Sequence, residues 1–318
     1  MTQLSTQHIL ITGGAGFIGS HTVEALLQKN IPVTVFDNLS SGKHSNLNLK
    51  SSLLRFIEGD VLDYSALIKA AEACTGILHL AALPSVPRSI DDPVHSHAVN
   101  TQGFLHVLQV IRELRRPLRL VYASSSAVYG EAKVLPCSDQ AHLGKEVLSP
   151  YALQKVQNEQ YAELFAKLYG IQSLALRYFN VYGPRQDPQS VYSGVISRFM
   201  DLYQQEQALS IYGDGRQSRD FIHVEDVARA NVLALAGNYH GVLNIATGVP
   251  ETLNKLVTYI EECGGQKAKL ESLPPRLGDI HASYAATQKA EQYLDFCYQI
   301  SLREGIERLI SSRKTEYV

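Results

Sequence analysis

Short apolar runs alternate with amphipathic stretches from the start of the chain to about residue 183. The pattern predicts strands at Ile9–Thr12, Val33–Phe36, Leu54–Glu58, Gly76–Leu80, Leu118–Ala123 and Ser173–Tyr178, in a parallel sheet wrapped on both faces. Between them come helical periodicities. One helix begins near Phe17 and carries Ile18, Val23, Leu26 and Leu27. Another runs from Val94 to Leu114 with Val94, Ala98, Leu105, Leu108 and Ile111 on one face. A third runs from Tyr151 to Tyr169 and turns Val156, Leu164, Phe165 and Leu168 inward. Strand and helix in alternation imply an α/β fold, a doubly wound parallel sheet of Rossmann type. Beyond Gly183 the alternation fades into turn-rich segments such as GPRQDP, YGDGRQSRD and LPPRLGD, which predicts a smaller mixed α/β lobe over residues 184–318. Some of its segments return to the first lobe, residues 1–183, because no linker separates the two. The two long helices hold apolar positions beyond a single stripe, which suits a helix-pair interface in a homodimer.

The first strand runs into HILITGGAGFIG, where Gly13, Gly16 and Gly19 have the spacing of a phosphate-binding turn. Gly13 lets the chain turn, Gly16 lets backbone approach a pyrophosphate, and Gly19 lets the helix close on the sheet. The helix start at Phe17 and Ile18 then offers unpaired N–H groups to the phosphates. The second strand ends on Asp37, placed to hold a ribose hydroxyl. Its charge would repel a 2′-phosphate, and no arginine lies between Asp37 and Lys43 to offset it, so the cofactor predicted is NAD rather than NADP. Gly59, Asp60 and Val61 close the third strand where an adenine edge would lie, and Leu80, Ala81 and Ala82 close the fourth with side chains small enough for a dinucleotide to cross them.

The fifth strand delivers Ser124, Ser125 and Ser126 to the carboxyl edge of the sheet, and SPYALQK follows with Tyr151 and Lys155 one helical turn apart. A phenol has a pKa of ~10, so a base near neutrality needs its phenolate stabilised by ~3 units, about 4 kcal/mol. Lys155 and a positive nicotinamide are the sources at hand. Ser125 donates to the reacting oxygen or relays its proton to Tyr151.

Composition removes other classes. A formal net charge of −2 with acidic and basic residues spread along the chain gives no footprint for nucleic acid or a membrane surface. No apolar stretch approaches the ~20 residues of a membrane span, and the polar MTQLSTQ runs directly into the first strand, so a soluble chain is expected. Four scattered cysteines, Cys74, Cys137, Cys263 and Cys297, form no CxxC pair, which argues for a reducing, cytoplasmic setting and against a metal site. His21, His79, His95, His97 and His223 are expected to pack or cap.

Taken together, TGGAGFIG, the Asp37-Asn38 pair after the second strand, GDV, HLAALPSVPRS, ASSSAVYG, SPYALQK, LRYFNVYGPRQDP and DFIHVEDVA resemble the extended short-chain dehydrogenase/reductase family, in particular its nucleotide-sugar 4-epimerases. The resemblance spans both lobes. It implies an NAD-dependent isomerase that oxidises C4 of a UDP-sugar to a 4-keto intermediate and reduces it from the other face, with Ser125, Ser126, Tyr151 and Lys155 at the chemistry. It also implies Asn38 at the cofactor, Asn180 at the diphosphate or sugar, Arg219 and Arg276 at the phosphates, Asp279 at the ribose, Tyr212 on the uracil, and Ser85 and Arg88 at the edge of the sugar.

Dehydratases of the family carry an Asp-Glu pair in the serine strand, where this chain has Ser126 and Ala127, so elimination lacks its acid and base. Ser283 aligns with a pocket-wall position that is tyrosine in epimerases restricted to non-acetylated hexoses. A serine there implies UDP-GlcNAc and UDP-GalNAc as substrates, alongside UDP-Glc and UDP-Gal. Ala127 and Ala286 depart from residues common in the family. The alternatives are a UDP-uronic acid 4-epimerase, with Arg185 at the sugar carboxylate, and a non-catalytic NAD-sensing protein.

Overall fold

The computed structural model describes residues 7–141, 143, 146–187, 194–275 and 280–315. Its centre is a seven-stranded, all-parallel sheet. In chain order the strands are β1 (Ile9–Thr12), β2 (Val33–Asp37), β3 (Leu54–Glu58), β4 (Gly76–His79), β5 (Arg119–Ser125) and β6 (Ser173–Tyr178), followed after three strands that lie outside this sheet, β7 (Asn180–Tyr182), β8 (Leu209–Tyr212) and β9 (Ser218–His223), by β10 (Gly241–Ile245). They lie in the order β10-β6-β5-β4-β1-β2-β3. The strand order reverses between β1 and β4, and it is outside the carboxyl ends at such a reversal that open α/β sheets bind their ligands.

The pleat divides the core. Ile9 and Ile11 face one side, with Val23 and Leu26 of α1 (Phe17–Leu27), while Leu10 faces the other. That second face is covered by α2 (Tyr64–Ala71) and by a helical run made of α3 (Val86–Asp91), α4 (Pro93–His97), a π-helical turn (Ala98–Gln102) and α5 (Gly103–Leu114), with α6 (Pro150–Tyr169) beside it. Phe104, Val107, Leu108 and Ile111 of α5 and Ala162 of α6 fill the space.

The second lobe gathers Phe199 and Met200 of α7 (Val195–Gln204), Phe221 of β9, Leu256 and Ile260 of α9 (Leu253–Gly264) and Ile306 of α11 (Leu302–Thr315) into its own core. Around β9 lie β7, β11 (Pro250–Thr252) and β13 (Ala282–Ser283), while β12 (Leu270–Leu273) pairs with β8. Two later helices return to the first lobe: Val227 and Leu235 of α8 (Val224–Ala236) and Leu294 of α10 (Gln288–Leu294) join the core beneath the sheet.

The structure corrects three expectations. The helix expected from Val94 to Leu114 is interrupted by the π turn at Ala98–Gln102, and Val94 is 80% exposed rather than part of the buried face. On α6 the buried stripe is Ala152, Val156 and Ala162, whereas Leu164 and Leu168 point outward at 45% and 60% exposure. A helix against a sheet buries one stripe, and those two leucines fall beyond it. Strand β5 runs on to Ser125, two residues beyond the expected end at Ala123, so Ser124 and Ser125 are themselves strand residues.

Candidate active site

The glycine turn is built as the spacing required, and its three glycines are distinguishable. Gly13 has φ +72°, and a Cβ there would lie 2.7 Å from the backbone nitrogen of Ala81 at the end of β4. A Cβ on Gly19 would lie 2.2 Å from the Gly13 carbonyl oxygen, so only glycine lets α1 close on the turn. Gly16 meets only that same oxygen, at 3.2 Å, and the space before it is open. Gly16 precedes α1 with no side chain capping the helix, so no capping side chain takes up the first-turn N–H groups at Phe17 and Ile18, the kind of donor that suits an anion.

Asp37 closes β2 nearly buried. Its Oδ2 accepts from Ala15 N–H at 2.9 Å and its Oδ1 from Leu39 N–H at 2.8 Å, so the carboxylate is oriented by the turn it faces. Asn38 Nδ2 donates to Asp60 Oδ2 at 2.9 Å, and Asp60 Oδ1 accepts from Leu62 N–H at 2.8 Å, which joins the ends of β2 and β3. The Val61 side chain is core, and its carbonyl accepts from His106 at 2.8 Å. Leu80, Ala81 and Ala82 line the end of β4, half-buried. These donors and this cradle fit a dinucleotide.

Ser125 is the last residue of β5, and its Oγ accepts from Ala127 N–H at 3.2 Å, starting the 3-10 turn Ser126–Tyr129. Helix α6 starts under a Ser149 cap with Pro150 in its first turn, and Tyr151 N–H donates to Ser89 Oγ at 3.0 Å. Burial pushes the Tyr151 phenol above its ordinary pKa, and a hydrogen bond with Ser125 works the other way. Lys155 is 3% exposed, and burial lowers it to about 8 against the opposing pull of Glu159. Serine, phenol and ammonium therefore converge from two elements on one place, an arrangement that can hold and move a proton at a substrate hydroxyl.

On β7, which pairs with β9, Asn180 Nδ2 donates to the Asp220 carbonyl at 2.9 Å. Arg219 on β9 is in register with Ser283 on β13, which brings two of the expected substrate residues side by side. Tyr212 ends β8 opposite Leu273. Ser85 is buried as the cap of α3, its Oγ accepting from Arg88 N–H at 3.1 Å, and the Arg88 side chain is exposed. Arg276 and Asp279 lie outside the described residues. Arg185 reaches back to α1, pairing with Glu24 at 2.8 Å.

Among the histidines, His79 bonds Thr12 at 2.8 Å, His21 bonds the Phe17 carbonyl at 2.9 Å, and His223 caps α8. His95 and His97 depart from the expectation, since both lie exposed on α4. Among the described residues no group of three or more His, Cys, Asp or Glu side chains is placed to hold a metal, and no helix is long and apolar enough to cross a membrane.

Two features escaped the sequence reading. Buried Asn100, in the π turn, holds the loop after β4, with Oδ1 accepting from Leu83 N–H at 2.7 Å and Nδ2 donating to Gln154 Oε1 at 2.8 Å. Buried Glu159 and Arg177 pair behind Lys155 at 2.7 Å. Asn100 and Arg177 stand among otherwise apolar residues, which was the available signal; Glu159 carried none, being one charge among several on its helix.

Comparison with known proteins gives three kinds of match. The model of the NAD dependent epimerase/dehydratase family covers residues 9–246. A UDP-glucose 4-epimerase of Mycolicibacterium smegmatis is 35% identical over 95% of this chain and 96% of that protein. A UDP-glucuronate 4-epimerase of Thermodesulfobacterium geofontis is 31% identical, with 96% of each chain covered. Among solved structures, a UDP-N-acetylglucosamine 4-epimerase from Methanobrevibacter ruminantium in complex with UDP-N-acetylmuramic acid superposes with a TM-score of 0.92 at 36% identity, covering 98% of this chain and 99% of that one.

Proposed function

We propose that this chain, which belongs to the NAD-dependent epimerase/dehydratase family and is a nucleotide-sugar 4-epimerase, interconverts UDP-GlcNAc with UDP-GalNAc and takes UDP-Glc and UDP-Gal as well. The observation that carries the substrate choice is Ser283, a small, half-buried side chain beside Arg219. A serine there leaves room for an acetamido group that a tyrosine ring would fill.

NAD, when bound, would supply a reversible hydride acceptor at sugar C4, which would make each turnover redox-neutral. The chain's own residues do the rest. Gly13, Gly16, Gly19, Phe17 and Ile18 cradle the pyrophosphate, Asp37 holds the ribose, and Asn38, Asp60, Val61, Leu80, Ala81 and Ala82 shape the floor. Tyr151 takes the proton of the C4 hydroxyl and later returns it, Lys155 supports the phenolate, and Ser125 donates to the reacting oxygen with Ser126 beside it. Asn180, Arg219 and Tyr212 receive the UDP moiety, joined by Arg276 and Asp279 on the sequence reading alone. Ser85 caps the helix that carries Arg88, and the two border the sugar.

Two assignments accompany this reading. Exposed Leu153, Leu164 and Leu168 on α6 form the contact face of a homodimer. Four free cysteines suit a reducing, cytoplasmic compartment. A uronic acid sugar is the second reading, and the pairing of Arg185 with Glu24 weighs against it, because the cation proposed for the carboxylate is already engaged.

The test is incubation of the purified protein, without added cofactor, with UDP-GlcNAc, UDP-Glc and UDP-GlcA separately, with products resolved by chromatography. Formation of UDP-GalNAc is the expected result. Conversion of UDP-GlcA alone would overturn the substrate assignment while keeping the reaction.

A further inference from the structure

Tyr151, Lys155 and Glu159 follow one another on α6 at four-residue spacing and so share a face of the helix. The first two belong to the proposed chemistry, and the third has no part in it. Both oxygens of Glu159 are nevertheless engaged. Oε1 accepts from the Ser124 hydroxyl at 2.6 Å and from Arg177 Nε at 2.9 Å, and Oε2 accepts from Arg177 Nη2 at 2.7 Å. The pair is buried, with side-chain exposures of 9% for Glu159 and 3% for Arg177. A buried ion pair is a poor source of stability, since an apolar pair of similar volume often does as well. Its presence directly behind the reacting groups therefore asks for another explanation.

The surrounding bonds supply one. Lys155 Nζ holds the Ala123 carbonyl at 2.8 Å, and Glu159 holds the Ser124 hydroxyl. The next residue on the strand is Ser125, which meets Tyr151. The last residues of β5 are thus fastened one after another to a single face of α6. On the other side, Arg177 Nη1 donates to the Tyr129 hydroxyl at 2.8 Å, which donates to Asn244 Oδ1 at 2.6 Å. Asn244 Nδ2 then donates to the carbonyls of Cys137 at 2.9 Å and Ala286 at 3.2 Å. Every hydrogen in this chain points the same way, outward from the ion pair, and it ends on Cys137 and on Ala286, three residues from Ser283.

We propose that Glu159 is a positioning residue for epimerisation: with Arg177 it clamps the Ser124–Ser125 end of β5 to the catalytic face of α6, and through Tyr129 and Asn244 it keeps residues 282–286 on the same rigid frame. The proposal rests on Ser125, Tyr151 and Lys155 being the reacting groups. Wild-type turnover of UDP-GlcNAc or UDP-Glc is therefore measured first, so that failure of that reading shows as an inactive wild type.

The experiment compares Ser124→Ala, Glu159→Gln and Glu159→Asp with wild type for kcat, KM and bound NAD. Misplacing a reacting group by about 1 Å costs on the order of 100-fold. Glu159→Gln is expected to lower kcat by roughly 10- to 100-fold with KM and bound NAD held, and Glu159→Asp to recover part of the loss. Ser124→Ala leaves the ion pair intact and folds even if Glu159→Gln does not, and it is expected to lower kcat roughly severalfold at unchanged KM. Wild-type kcat in Ser124→Ala would overturn the proposal. So would a fall in kcat accompanied by a matching rise in KM and loss of NAD, since that is what a purely structural pair would give.

Discussion

Lys155 Nζ donates to the Ala123 carbonyl at 2.8 Å and stands 5.7 Å from the centre of the Tyr151 ring, so a strand two residues before Ser125 fixes where the ammonium sits relative to the phenol. Burial pushes the two groups apart in acidity, the phenol upward and the ammonium down to about 8. The phenolate needs the cation beside it.

Activity should therefore decline as the pH rises through about 8, where Lys155 loses its proton and the phenolate loses its support. Lys155→Met and Tyr151→Phe are each expected to lower kcat by about 10²- to 10⁴-fold. A kcat profile from acid to alkaline pH tests this. An alkaline limb unchanged in Lys155→Arg, whose charge does not titrate, would assign the limb to another group.

Asp37 holds the N–H groups of Ala15 and Leu39. Removing the carboxylate in Asp37→Ala leaves both donors unpaired at about 1–3 kcal/mol each and takes away the ribose partner. The variant should lose bound NAD on desalting where wild type retains it, measured as nucleotide released from acid-precipitated protein. Full retention would remove Asp37 from the cofactor site.

A tyrosine at position 283 should discriminate among sugars. Overpacking a fitted pocket costs about 2–3 kcal/mol, so Ser283→Tyr is expected to lower kcat/KM for UDP-GlcNAc roughly 30- to 150-fold while sparing UDP-Glc. Equal losses on both substrates would mean that Ser283 does not face the C2 substituent.

The outward leucines of α6 bear on assembly. Light scattering of wild type at micromolar concentration should give a dimer, and Leu164→Glu with Leu168→Glu should give a folded monomer. A dimer that survives both changes would place the interface elsewhere.

Two buried histidines predict acid sensitivity. Burial holds His79 at about 3 and His223 at about 4, below the ordinary 6.5, so both are neutral in the folded chain and protonate on unfolding at mild acidity. Their stabilisation is complete above pH 6.5 and is lost as the pH falls below it, on the order of 2 kcal/mol each by pH 5. Thermal melts across that range should show the midpoint falling, and His79→Gln should flatten the slope.

What could be read without coordinates was local in the chain. The turn glycines lie within one strand-to-helix connection, Tyr151 and Lys155 within one helical turn, and the first six strands within short stretches rich in β-branched and other apolar residues. Period and spacing suffice for such features because each is decided by residues a few positions apart.

Features that depend on distant residues needed the tertiary structure. Strand β10 enters the sheet beside β6 only after the chain has crossed the second lobe, and β13 is two residues long, too short to carry a period. Leu164 and Leu168 have the hydrophobicity of a core and the position of a surface, a distinction set by which stripe of α6 meets β5 and α5. Glu159 reads in sequence as another charge on a helix. It becomes the partner of Arg177 because β6 runs beside β5, and the bond joins residues 18 apart in the chain. The amino-acid sequence determined the local pieces, the glycine turn and the helix face that carries Tyr151 and Lys155. Folding decided their alignment, since buried polar groups find their partners only where packing excludes water.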